Sequence, residues 1–214
     1  MIALAVSLAP LALYFLALAA MNSGRRARVL SGQEDLTATS LGVIGFVMTG
    51  PVLFFLPIDA FTFWGFYTWF FLAVLYALIV RFLGAALRFR IVVYNMDETE
   101  LRETLAKIAG ELDAEARWAG NSLSLPTLGV QFYTEHLTIL RNHVLIGTGS
   151  RQNLQGWLQF EKQLRKTLFK QRVSPKKRTA VFLASIGFLL GAAAVLILIA
   201  HQSDAFAALQ FLLK

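Results

Sequence analysis

The stretch that opens with LRFRIVVYNMDETELRETL (residues 87–105) and closes with FKQRVSPKKR (169–178) decides how this chain is read. Segment 87–178 holds 15 of the 20 Lys and Arg residues and 9 of the 13 Asp and Glu residues, and long apolar runs flank it on both sides. Charge gathered into one block of an otherwise greasy chain describes a water-soluble domain held by membrane helices. Composition agrees: 57% of residues are apolar and 15% charged, against roughly 45–50% and 25% in soluble globular domains.

Inside the block, Phe89 to Tyr94 is a β-branched and aromatic run and reads as a strand. Asp97 and Glu100 stand at capping-box spacing, with Met96 and Leu101 at the flanking apolar positions. Leu101, Leu105, Ile108 and Leu112 recur at helical spacing, which predicts a helix over 98–112. The acidic cluster Asp97, Glu98, Glu100 and Glu103 is explained by its place in the first turn, where negative charge offsets the helix dipole, and needs no metal. Leu123/Leu125, Val130/Phe132 and Leu137/Ile139 alternate, Val144–Ile146 is a short apolar run, and turn residues separate them. A second helix is predicted over 152–169, its stripe built from Leu154, Trp157, Leu158, Leu164 and Leu168. The alternating runs read as three or four short strands, and the predicted order is β-α-β-β-β-α, an antiparallel sheet plus two helices in an α+β domain.

Outside the block, the fold class is a multi-span α-helical membrane protein. Residues 1–86 form a membrane region with helices at about 2–20, 41–56 and 61–83; a fourth follows at 179–200, and 201–214 is a tail. A cleaved signal peptide is the rival reading for 2–20, since Ala17-Leu18-Ala19 resembles a cleavage site. No basic residue precedes that run, however, and Arg25, Arg26 and Arg28 follow it. Residues 22–39 read as a simple polar connector. Asp59, at the turn between the second and third spans, reads as a helix cap rather than a proton site. The aromatic run from Phe61 to Phe71 reads as an interfacial belt. Loops 22–39 and 87–178 carry nearly all the cations, so the positive-inside rule puts them in the cytoplasm and both termini outside, with a bacterial inner membrane as the default.

Chemistry is sparsely signalled. The chain has no Cys, hence no disulfide and no thiolate metal site. His136 and His143 lack a metal-binding spacing and read, like His201, as surface or turn histidines. Gly147, Gly149, Ser150 and Arg151 lie between a strand and a helix, where free N–H groups can hold an anion; the spacing is not that of a phosphate-binding loop, and the favoured rival reading is a tight turn with Ser150 as the helix cap. Arg172, Lys176, Lys177 and Arg178 fit lipid headgroups as well as a topology signal. Ala184, Gly187 and Gly191 lie on a small-residue seam of the last span, suited to packing on the second span or another subunit. No cofactor, metal or nucleic acid is implied. The sequence predicts a non-catalytic anchor or accessory subunit, with the lipid bilayer and a protein partner or second copy as its associates. The alternative is a sensor of a phosphate-bearing or anionic ligand at 147–151, and a transporter stands third because the spans carry no ionisable residues expected of one.

Overall fold

The computed structural model describes residues 2–50, 63–65, 67–137, 142–149, 152–173 and 177–201. Asp59, Ile139, Ser150, Arg151, Lys176, the far end of the second expected span and the tail beyond His201 lie outside them. The described chain contains six helices and six strands: α1 (Ile2–Ser23), β1 (Arg28–Ser31), α2 (Gly32–Thr49), α3 (Tyr67–Ala86), β2 (Arg90–Tyr94), α4 (Glu98–Leu112), β3 (Arg117–Ala119), β4 (Ser122–Leu125), β5 (Val130–Leu137), β6 (Asn142–Gly147), α5 (Leu154–Lys170) and α6 (Lys177–Ala200). They fall into two compact units, one of residues 1–18, 36–83 and 182–214, the other of 19–35 and 84–181.

Three helices are long and apolar enough to cross a membrane: Ala3–Ser23, Tyr67–Ala86 and Lys177–Ala200. In the first unit the helices meet where side chains are small. A side chain on Gly45 would strike Ser7, and one on Gly42 would strike Tyr14. Ser7 Oγ also donates to Ala3 O at 2.7 Å and pairs with the Thr49 hydroxyl, so polar groups between α1 and α2 find partners without water. Gly187 of α6 is buried against Leu16 and Ala12 of α1. The small-residue seam of α6 therefore packs on α1, which also receives the glycines of α2. By contrast, α3 exposes Phe70, Phe71, Leu75, Leu78 and Phe82, the pattern of a helix surrounded by hydrocarbon.

The second unit is built on one antiparallel sheet in the order β1-β2-β6-β5-β4-β3. Four strands, one more than in the predicted order, follow α4, and a sixth comes from residues 28–31, which the sequence presented as part of a connector. β1 pairs along β2 from Arg28↔Tyr94 to Ser31↔Ile91. Its four residues, RVLS, are too few to show a period by themselves. What closes it is a reciprocal capping box: Glu34 N donates to Ser31 Oγ at 3.2 Å, and Ser31 N donates to Glu34 Oε2 at 2.7 Å. The box expected at Asp97 is not formed: Asp97 holds the N-cap position of α4, but its side chain makes no capping bond.

Helices α4 and α5 contribute Leu101, Leu105, Ile108, Trp157, Phe160, Leu164 and Leu168 to one core with Ile91, Val93, Leu123, Phe132 and Leu145. Leu154 and Leu158, expected in that stripe, are 46% and 55% exposed, and Phe160 takes the buried place. At 100° per residue, Leu158 falls about 80° outside the arc of Trp157, Phe160, Leu164 and Leu168. The Trp157 ring meets Phe89 and Phe132 edge-on, at 5.8 and 6.1 Å between centroids.

Candidate functional site

Three places in the α+β unit gather polar side chains, and their geometry separates them.

The first is a histidine pair. His136 of β5 and His143 of β6 are directly opposed in the register, and cross-strand neighbours share a face. Their rings stack at 4.4 Å, with Nδ1 to Nδ1 3.1 Å apart. His143 is 1% exposed, which corrects its reading as a surface or turn histidine: it lies within β6, paired with β5. Its Nε2 lies 2.9 Å from Met96 O. A carbonyl only accepts, so Nε2 carries the hydrogen, and the Nδ1 lone pair of neutral His143 accepts from His136 Nδ1. Burial pushes the His143 pKa below the ordinary value. The Met96 carbonyl opposes that shift, His136 adds to it, and Glu98 and Asp97 offset part of it. A cavity of about 50 Å³ beside the pair is lined by Glu98, Arg102, Trp118, Thr134 and Glu135 as well. Among the described residues no three His, Asp or Glu side chains converge on a metal-sized site.

The second place is the turn after β6. Gly147 N donates to Phe89 O at 2.7 Å and Thr148 N to Gln131 O at 2.8 Å. A side chain on Gly147 would strike Phe89, and Gly149 has φ +89°, where glycine is favoured. The cap of α5 is Asn153, whose side chain accepts from Gln155 N at 3.0 Å. That displaces the role expected of Ser150, three residues earlier.

The third is an open groove of about 590 Å³ between α4 and α5. Glu103, Lys107 and Glu111 line one bank, and Lys166 and Lys170 the other. Thr104 Oγ1 donates to Gln171 Oε1, and Gln163 Nε2 to Glu111 Oε2, both at 3.1 Å. Residue spacing defines each helix by itself but carries no signal that these two faces adjoin.

Of the cations nominated for lipid, Arg172 is exposed next to the buried Val173, and Lys177 and Arg178 open α6. Gly191 lies 3.8 Å, measured from an added Cβ, from Ala12, and Ala184 is half-buried. Comparison with protein-family models, with curated proteins and with solved structures gives no match.

Proposed function

We propose that this chain is a non-catalytic membrane protein, an anchor or accessory subunit whose α+β domain receives a protein partner in the groove between α4 and α5. The groove is the observation that carries the reading. Its banks bear charges of both signs on two helices fixed to one core, and such patterns select a partner by complementary charge. The alternative, an anionic ligand at residues 147–151, has less behind it, because the Gly147 and Thr148 N–H groups already donate to the chain's own carbonyls. In this proposal four spans cross a bacterial inner membrane, both termini are outside and residues 87–178 are inside. The three apolar helices and the lopsided distribution of Lys and Arg support that arrangement.

The test is purification of the full chain in mild detergent, followed by identification of co-purifying protein. Wild type should bring down a stoichiometric partner, or a second copy of itself. Lys166→Glu with Lys170→Glu should lose it while keeping the wild-type unfolding midpoint. A clean monomeric wild type, or a charge-reversed variant that retains the partner, would overturn the reading.

A further inference from the structure

Two segments distant in sequence meet in the α+β unit. Residues 24–26 follow α1, and residues 169–173 end α5. Val173 N donates to Arg25 O at 3.0 Å. The Arg26 guanidinium lies 4.7 Å from the centroid of the Phe169 ring, a cation–π contact. Asn95 Nδ2 holds the first segment by donating to Gly24 O at 2.7 Å and Arg26 O at 3.3 Å. Ala27 and Val173 are buried beneath. The junction is thus a built part of the domain.

It leaves Arg25, Arg26 and Arg172 exposed along one rim, with Lys170 exposed on the groove side of α5. Among the described residues no carboxylate pairs with any of the four. Arg165 is different: its guanidinium is committed to Glu34 at 2.6 Å and Glu161 at 2.8 Å. Phe169 is 66% exposed beside these cations. Unpaired guanidinium groups around an outward aromatic ring match the boundary between phosphate and acyl chain.

Chain connectivity puts the rim near such a boundary. Arg25 is two residues beyond the end of α1 at Ser23, and Arg172 is five residues before the start of α6 at Lys177. Both helices are long and apolar enough to cross a membrane. With at most about 3.5 Å per residue, Arg25 lies within about 7 Å of its helix end. The Val173 bond ties the second segment to the first.

We propose that Arg25, Arg26 and Arg172 form a seat for the phosphate of an anionic phospholipid, with Phe169 entering the acyl boundary beside it. A topology signal needs only positive charge on one side of a span. A seat needs these positions and guanidinium groups that bind phosphate oxygens in pairs.

The experiment reconstitutes the full chain in nanodiscs of phosphatidylcholine, with or without phosphatidylglycerol, and reads the unfolding midpoint and the lipid retained in native mass spectrometry. Phosphatidylglycerol should raise the midpoint and be retained preferentially. Arg26→Gln with Arg172→Gln should cut that retention about tenfold, the scale of losing charge-assisted contacts, and abolish the rise. Arg117→Gln with Lys162→Gln removes equal charge elsewhere and should change neither. Arg172→Gln alone, which leaves the Arg26–Phe169 contact intact, should still lower retention if the double variant fails to fold. Equal retention of the two lipids by wild type, or equal losses in the two double variants, would overturn the seat in favour of diffuse attraction. So would millimolar inorganic phosphate in lipid-free detergent reproducing the midpoint rise, which would mark a site for a soluble anion.

Discussion

Gly156 leaves no room for a side chain: a Cβ there would strike Leu128 O. Because Leu128 is backbone and belongs to the turn before β5, relief requires α5 to shift from the sheet. Gly156→Ala should therefore cost about 1–3 kcal/mol or more, read as a lower denaturation midpoint of the full chain. His143 sets a second expectation. Its folded pKa is held below the unfolded value of about 6.5, so below pH 6.5 the unfolded chain binds the proton more readily. The stability this residue supplies is complete above that pH and declines as pH falls toward the folded pKa. Amide exchange at 130–137 and 142–147, corrected for intrinsic rate, should accelerate on acidification from pH 7.5 to about 5.5, and His143→Gln should flatten the dependence. Unchanged protection across that range would contradict the lowered pKa of His143. Neither site was legible in sequence, because both depend on partners from other elements: Leu128 across a turn, and Met96, 47 residues away.

At the scale of elements, α4 was readable in extent and facing, though not in its cap. Its leucines follow one strong period, and its ends fall at Glu98 and Leu112 as expected. α5 was readable in extent but not in facing. Leu158 matches the period loosely and stays outside, 55% exposed, since composition cannot rank two adjoining apolar stripes when the sheet selects one. β1 was missed because a four-residue edge strand takes its register from its neighbour. The Ser31-x-x-Glu34 spacing was the available signal for the helix start behind it. Arg165 clasps that region: Nη1 donates to Val29 O at 2.9 Å and Nη2 to Glu34 at 2.6 Å. The pair is partly solvated, so its worth is discounted to about 1 kcal/mol. Arg165→Ala should speed amide exchange in 28–31 roughly fivefold, the factor that energy implies, and leave β5 protected. Uniform acceleration through the sheet would mean that the clasp supports the whole core rather than its edge.

For the whole molecule, the division into apolar helices and one charged α+β domain was visible from charge placement alone. Which helix lies beside which was not, since small residues announce close packing without naming the partner. The structure gives α1 as the common neighbour, with Ser7 under Gly45 and Ala12 and Leu16 under Gly187. Gly187→Leu with Gly191→Leu should therefore lower the detergent unfolding midpoint by several degrees or more, through overpacking, while Leu189→Ile, on the exposed face, should not. Equal midpoints would remove α6 from the bundle. The chain order also imposes a delay. β1 ends at Ser31 and the strand it pairs with begins at Arg90. At about 5–20 residues per second of synthesis, the first strand waits on the order of 3–12 s for its mate. Throughout that interval its backbone hydrogen-bonding groups have no sheet to join. A nascent chain halted before residue 90 would offer a bare strand to any other edge in reach, whereas one halted beyond residue 94 has its first pairing available.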